Sequence, residues 1–461
     1  MFTIDEIIKA THAKVINSYA QLCVSGISTD SRMVKQGELF IAIKGAKLDG
    51  HDFVDKAREN QASALLVNET WAQENIKFLQ GLNMPVIVAE NTVAALGAIA
   101  GFHRRRFNIP VIGITGSNGK TSTKEMLGAV LGSRFKVLKS KASFNNNIGV
   151  PLTLLGLDLS HEIAVLEMGM NHAGEIRALC FIAKPDIAII TNVANAHMEF
   201  FKSLEEVAKA KCEILENLNN RAKAIINADC SVLYAGARDY GVNIISFGLK
   251  PGSLYRAANV LCDSNGIAFS LNEKVTFRLN LLGEHNVYNA LAAIAVADLF
   301  KIETDQMIEA LRKVSIPGLR MHQIDTKGIK IIADCYNANP ISTKAAIKVL
   351  SCFKEAKRKV FVFADMLELG RSSRRFHEDI GEYVAGNAID KLIAIGPNAS
   401  FAASSAIACG MKEKDVYKCE ENEDALEILQ GLFAEDDIVL FKGSRGMHLE
   451  DLINKIIKNR G

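Results

Sequence analysis

Short apolar runs recur along this chain, and each stops at a glycine or a polar residue. They read "VIGIT", "EIAVLEMG", "DIAIITNV", "IKIIADCY", "KVFVFADM", "KLIAIGP" and "DIVLFKGS". Runs this short, rich in Val and Ile and separated by stretches of helical periodicity, predict buried strands joined by crossover helices. The pattern is βαβ, so the expected class is α/β with largely parallel sheets. In open parallel sheets, ligands sit beyond the carboxyl ends of the strands. That rule selects residues 116–121, Glu167, residues 192–197, Asp334, Asp365 and residues 442–445 as the places for chemistry.

Three blocks follow from the same pattern. Residues 1 to about 84 mix short strands and helices around the turn-rich "STDSRMVKQGELFIAIKGAKLDGHDF". A helical segment over 92–106 leads to Pro110 and the strand "VIGIT". A second doubly wound unit begins near Pro317. A length of 461 residues fits roughly three domains.

The segment "GITGSNGKTS" (113–122) carries the first chemical signal. A strand, a Gly-rich turn, then Lys and Thr at a helix start can cradle phosphates. Backbone N–H groups at a helix N-terminus favour anions, Lys120 reaches the outer phosphates, and the Thr121 hydroxyl can ligate magnesium. The spacing departs from GxxxxGK[ST], because Ile114 stands where the first glycine would be. What fits is Gly116-x-x-Gly119-Lys120-Thr121. This loop identifies ATP or GTP and no more. Glu167, at the end of "EIAVLE", is a natural magnesium ligand in such a sheet, or a solvated carboxylate. His197, after "IITNVANA", is a weaker metal candidate, since imidazole is unusual for magnesium; the alternative is a helix cap.

The helix predicted for "SLEEVAKAKCEIL" (203–215) sets a puzzle. Leu204, Val207, Ile214, Leu215 and Leu218 form an apolar stripe with Lys211 in its middle. Lys209 falls with Glu205, Glu213 and Glu216 on the polar side. Ser203 and Glu206 have the spacing of a capping box. Lys211 is either a snorkelling side chain whose head reaches water, or an amine kept neutral by burial so that it can react or be modified.

Composition removes several classes. A formal charge of +2 gives no electrostatic case for nucleic acid. The N-terminal "MFTIDEIIKATHAK" lacks the apolar core of a signal peptide, and no run of 18 apolar residues predicts a membrane span. Nine cysteines without a CxxC pair predict reduced thiols in a cytoplasmic protein.

Taken together, the motifs resemble those of the Mur ligases, the ATP-dependent amide-forming enzymes of peptidoglycan precursor synthesis. "TGSNGKTSTKEML" resembles their ATP loop and "LLGEHNVYNALAAIAVA" their adenine-side motif. "PGLRMHQI" is similar to the segment that enters their C-terminal domain. "AHMEFFKSLEEVAKAKCEI" is similar to their metal-side segment, whose lysine is N-carboxylated by CO₂; that lysine matches Lys211. Within the family, "FNNNIGVPLTLL", "EMGMNHAGEI", "DCYNANP" and "ADMLELGRSSRRFHEDIG", with His377, are similar to members that add D-alanyl-D-alanine to UDP-N-acetylmuramoyl-tripeptide. The family often carries an acidic residue where this chain has Asn147, and Gly-Ser where it has Lys202-Ser203.

The resemblance implies three domains: a small N-terminal α/β domain (1–84) for the UDP-muramoyl substrate, a central P-loop-type parallel-sheet ATPase domain (85–314), and a C-terminal Rossmann-like domain (315–461). It implies ATP, two magnesium ions and a lysine carboxylated by CO₂. It implies that Gly116, Ser117, Asn118, Gly119, Lys120, Thr121 and Ser122 hold the phosphates. Asn286 and Asn289 would lie beside the adenine, with Arg320 at phosphate and Asp334 at ribose. For Asn286 the residues alone also allow a helix N-cap. Thr121, Glu167, His197 and Lys211 would serve the metals. Ser31 and Arg32 would hold the uridine diphosphate end, Asn145 and Asn146 the muramoyl part, and Tyr336, Asn337, Asn339, Glu368 and Ser444 the dipeptide. A monomer that closes its domains during the cycle is expected. Competing readings are another Mur-type or folylpolyglutamate-type ligase, a P-loop kinase or ATPase, and a nucleotide-binding module without catalysis.

Overall fold

The computed structural model describes residues 1–19, 21–196, 198–216, 218 and 222–460. All seven apolar runs are strands: Val111–Thr115, Ile163–Glu167, Ile187–Ile190, Ile329–Asp334, Arg358–Ala364, Lys391–Ile395 and Asp437–Lys442. The chain divides into two compact units. One comprises Met1–Val111, Leu138–Met168 and Arg177–Pro185; the other comprises Ile112–Val137, Gly169–Ile176 and the chain from Asp186 onward.

In the first unit a five-stranded sheet runs in the order Lys14–Ile16, Val86–Ala89, Ala64–Asn68, Leu39–Ile41, Ile27–Ser28. Only the edge strand Lys14–Ile16 is antiparallel. The central strands are near-continuous apolar runs because helices cover both faces of a parallel sheet. Phe40, Leu65, Val67, Leu79 and Val86 fill one of its cores. The predicted helix is Thr92–Arg104, started by Asn91, whose Oδ1 accepts from Val93 N and Ala94 N at 2.9 and 3.0 Å. The strand Ile163–Glu167 belongs to this unit and ends on Glu167.

In the second unit, strand Val111–Thr115 pairs with Ile187–Ile190, and neighbours follow in the order Lys223–Asn227, Asn243–Gly248, Tyr255–Asp263, all parallel. Two antiparallel strands, Gly266–Leu271 and Val275–Leu279, extend that sheet. The apolar-run pattern misses this extension, because its strands face water on one side and alternate. The turn "DSNG" between alternating stretches was the available signal.

The remaining sheet of the second unit runs His322–Thr326, Ile329–Asp334, Asp437–Lys442, Arg358–Ala364, Lys391–Ile395, Val416–Cys419, parallel except at the first edge. The last strand in sequence thus sits between the second and third. The loops after Asp334, Ala364 and Lys442 therefore leave from neighbouring strand ends. Among the described residues, no helix is long and apolar enough to cross a membrane.

Candidate active site

The loop after Val111–Thr115 needs both its glycines. Gly116 has φ 148° and Gly119 φ 82°. A Cβ would stand 1.9 Å from Thr191 Oγ1 at Gly116 and 2.3 Å from Asn289 Oδ1 at Gly119. The loop is tied to the end of the next strand. Ser117 N donates to Asn192 O at 3.0 Å, Asn118 N to Asn192 Oδ1 at 2.9 Å, and Thr191 Oγ1 to Asn118 O at 2.6 Å. Ala194 N donates to Ser117 Oγ at 3.0 Å. Asn192 thus shapes the phosphate loop, a role its place at a strand end did not reveal.

Helix Lys120–Leu131 begins directly on the loop, with Gly119 left-handed at its cap. Lys120 Nζ donates to Gly116 O at 2.8 Å and to Ser117 O at 3.5 Å, so the ammonium lies over the loop it is expected to serve. Thr121 and Ser122 are buried. Beneath them lies a chain of amides. Thr123 Oγ1 donates to Asn289 Oδ1 at 3.2 Å, Asn289 Nδ2 to Asn286 Oδ1 at 2.9 Å, and Asn286 Nδ2 to Leu282 O at 2.9 Å. Asn286 is not the helix N-cap: that position of His285–Leu299 is Glu284, which makes no side-chain cap bond. These two asparagines brace the phosphate-loop helix from below.

The puzzle of Lys211 is resolved by its burial. It lies on helix Leu204–Cys212 and is 2% exposed, so its head does not reach water. Desolvation pushes its amine well below the ordinary lysine range, and the charge of Lys120 adds to that. Lys209 is exposed, as its place on the helix predicts. Two local expectations are corrected. Ser203 Oγ accepts from Glu206 N at 3.3 Å, but the Glu206 carboxylate returns to Lys202 N, at 2.8 Å, so only half the capping box forms. Glu213, expected on the polar side, is buried, and its Oε1 accepts from Gly174 N at 2.6 Å. The end of this helix is enclosed on all sides: Ala210, Lys211, Cys212, Glu213, Ile214 and Leu215 are all buried, so its polar face does not meet water there.

Glu167 is 1% exposed, and its Oε1 accepts from Asn145 Nδ2 at 2.8 Å. Asn145, expected on the substrate side, thus touches the expected metal ligand. Asn146 accepts from Ile148 N and Gly149 N at 3.2 and 2.8 Å and opens helix Gly149–Leu154. Asn147 is exposed. Ser31 is buried, its carbonyl held by Asn60 Nδ2 at 2.7 Å. Arg32 is exposed and grips Asp30 through Nε and Nη2 at 2.9 and 2.7 Å, which holds the Asp30 carboxyl down at about 2. His197 lies outside the described residues. Two residues on, Glu199 N donates to Glu368 O at 3.3 Å. Among the described residues, no group of three or more His, Cys, Asp or Glu side chains could hold a metal. The expected set instead draws on Thr121 and Lys211, which are other residue types, and on His197.

At the C-terminal sheet the strand-end rule gathers a second group. Lys442 Nζ donates to Asp334 Oδ2 at 2.7 Å and to Asn337 O at 2.9 Å, a buried ion pair that no local pattern announces. The Arg320 guanidinium lies 3.7 Å over the Tyr336 ring, with Arg445 at 5.8 Å. Asn339 caps helix Pro340–Ser351, accepting from Ser342 N at 2.9 Å. Ser444 Oγ accepts from Leu367 N at 2.8 Å and so fixes the loop that carries Glu368, itself left-handed at φ 62°. His377 is fully buried: Nε2 accepts from Met366 N at 3.0 Å and Nδ1 donates to Ser373 O at 2.7 Å. Those bonds define a neutral imidazole, and burial pushes its pKa down. Asp365, at a strand end, ties down a helix start: its Oδ1 accepts from Ala399 N at 2.7 Å.

The chain matches three family segments: "Mur ligase family, catalytic domain" over 23–104, "Mur ligase middle domain" over 114–297, and "Mur ligase, glutamate ligase domain" over 319–445. It is 36% identical over 458 residues to the UDP-N-acetylmuramoyl-tripeptide–D-alanyl-D-alanine ligase of Bacillus subtilis (strain 168), covering 99% of this chain and 98% of that one. It is 33% identical over 450 residues to the enzyme of the same name from Escherichia coli (strain K12), covering 95% of each. A crystal structure of MurF from Acinetobacter baumannii superposes with a TM-score of 0.88 at 30% identity, covering 99% of both chains. MurF from Thermotoga maritima in complex with ADP gives 0.81 at 29% identity, covering 95% of this chain and 98% of that one. With its phosphate loop, buried lysine and strand-end clusters, and with matches that run its whole length, the chain belongs to the Mur ligase family.

Proposed function

We propose that this protein joins D-alanyl-D-alanine to UDP-N-acetylmuramoyl-tripeptide, at the expense of ATP. The product is the UDP-muramoyl-pentapeptide used for peptidoglycan, with ADP and phosphate. The end-to-end similarity to ligases of that name carries the reading. A carboxylate does not react with an amine at neutral pH, because its oxygen is a poor leaving group. The tripeptide's terminal carboxylate oxygen attacks the γ-phosphorus of ATP, and ADP leaves. The free amine of the dipeptide then attacks the acyl carbon, phosphate departs, and the amine loses a proton as the amide forms.

Phosphoryl transfer needs positioning and charge neutralisation more than covalent help from the protein. Lys120 holds the outer phosphates, over a loop whose backbone is fixed by Thr191 and Asn192. Thr121, Glu167, His197 and a carboxylated Lys211 would serve as ligands for two magnesium ions, whose chemistry when bound is to neutralise charge on the transferring group. The setting of Lys211 supports its modification: only an unprotonated amine takes up CO₂, and burial favours that form. The carbamate turns a cation into an oxygen donor, which suits a hard metal. Arg320 and Asp334 contact the nucleotide. Ser31, Arg32, Asn145 and Asn146 bind the UDP-muramoyl end. Tyr336, Asn337, Asn339, Glu368 and Ser444 line the dipeptide side. Three domains, divided near residues 84 and 314, come in the order of the three family segments. Nine free thiols support a reducing, cytoplasmic setting.

The test is a ligation assay with ATP, magnesium, UDP-muramoyl-tripeptide and D-alanyl-D-alanine. Phosphate release is expected only when the dipeptide is present, in step with pentapeptide. ATP turnover that ignores the dipeptide would overturn the reading in favour of an ATPase or kinase.

A further inference from the structure

We propose that Asn339 is a positioning residue of the phosphate loop, and that its paired amide with Asn118 couples nucleotide binding to the segment 336–340. Asn339 Nδ2 donates to Asn118 Oδ1 at 2.7 Å, and Asn118 Nδ2 reaches back to Asn339 Oδ1 at 3.4 Å. The partners are 221 residues apart in sequence. One lies in the loop between the two essential glycines, the other at the mouth of the C-terminal sheet.

Each end is rigid for its own reason. The backbone of Asn118 is held by Asn192 Oδ1 at its N–H and by Thr191 Oγ1 and Asn192 Nδ2 at its carbonyl. Its side chain is therefore displayed in a set direction. Asn339 is 6% exposed and locked by a full capping box: its Oδ1 accepts from Ser342 N and its own N donates to Ser342 Oγ. Pro340 follows at the first helical position, where its fixed φ suits a helix start. Neither support can shift without breaking the amide pair.

The residue type adds a second argument. Ser, Thr or Asp would cap this helix as well as Asn does. An aspartate cap has nothing to donate, and a serine or threonine hydroxyl that accepts the cap bond ends one atom short of the carboxamide nitrogen. The carboxamide accepts the cap bond on its oxygen and donates from its separate nitrogen to Asn118. The donating half of Asn339 is therefore not needed by its own helix; it serves the loop. Asn118 immediately precedes Gly119 and Lys120, so a displacement of Asn118 moves the donors that meet the phosphates. Conversely, an anion that settles the loop settles Asn118, and through it the start of helix Pro340–Ser351. Such coupling is reciprocal.

The pair rests on the ligase reading only in calling 336–340 the dipeptide side, and the test does not use ligation. The full-length protein is titrated with a non-hydrolysable ATP analogue and magnesium, as wild type, Asn118→Ala, Asn339→Ser and the double variant. Backbone hydrogen exchange is followed over 338–343. Asn339→Ser keeps a cap, so its exchange without nucleotide should match wild type; this separates coupling from simple loss of the helix end. In wild type the analogue should slow exchange there. In either single variant that response should vanish, and the Kd for the analogue should rise about fivefold, as for one lost hydrogen bond. The double variant should be no worse than the weaker single. A wild-type exchange response in the single variants, no response in wild type, or losses that multiply in the double variant would each overturn the proposal. Failure to join the dipeptide, with the exchange response intact, would count against the function proposed above and not against the pair.

Discussion

Lys211 is a base that the fold keeps from water, and this has a thermodynamic sign. A base held below its ordinary range binds fewer protons folded than unfolded. Its burial therefore costs stability that is absent above the unfolded value near 10.5 and grows as pH falls below it. Lys211→Met keeps the length of the side chain and removes the charge. In buffer free of CO₂ and magnesium it should melt above wild type at neutral pH, while losing nearly all phosphate release in the ligation assay. The gap should close with rising pH by up to about 1.4 kcal/mol per unit, measured by urea denaturation from pH 7 to 10. A variant less stable than wild type at neutral pH would show that the amine has a compensating partner. The position of this lysine was legible in the sequence, because helical periodicity put it on the apolar stripe. Its burial was not, because a four-carbon stem often carries the head to water. The depth of the packing around it decides between the two.

At the scale of elements, strand, Gly loop and helix were all legible, since each obeys a local rule. The glycines were also visible, but not what presses on them. Gly119 combines a left-handed backbone with an approach to Asn289, a residue 170 positions further along the chain. Gly119→Ala should therefore cost about 1–3 kcal/mol of stability, from the strained φ and the displaced amide. It should weaken nucleotide binding by more than tenfold, since Lys120 and Thr121 start the helix that moves. Thermal melting and analogue titration check the two parts separately; unchanged melting would mean that the loop relaxes at no cost. The end of helix Leu204–Cys212 shows the limit of periodicity. Periodicity puts Glu213 on the polar face, but the chain around Gly174 covers that face and Glu213 is buried with its carboxylate on Gly174 N. Nothing in the residues of that helix announces the cover, because the segment that supplies it lies 39 positions earlier in the chain.

At the scale of the whole molecule, the C-terminal sheet places its last strand between two earlier ones, and Lys442 meets Asp334 for that reason alone. The pair is buried on both sides, so breaking one half leaves a charge without compensation. Lys442→Met should destabilise the protein by about 3–5 kcal/mol. The double variant Asp334→Asn with Lys442→Met should recover most of that loss, because a buried neutral amide is far cheaper than a buried carboxylate. Urea denaturation of wild type, Lys442→Met, Asp334→Asn and the double variant gives the cycle; equal losses in Lys442→Met and the double variant would show that packing, not charge, sets the cost. The sequence by itself determined the class of fold, the strands, the phosphate loop and the strand ends where function gathers, because periodicity, turn chemistry and motif spacing are local. Only the tertiary structure decided which side chains meet, Asn118 with Asn339, Lys442 with Asp334 and Asn145 with Glu167, and that Lys211 lies out of reach of solvent. Those outcomes depend on strand order and packing depth, and neither is written in any single stretch of the chain.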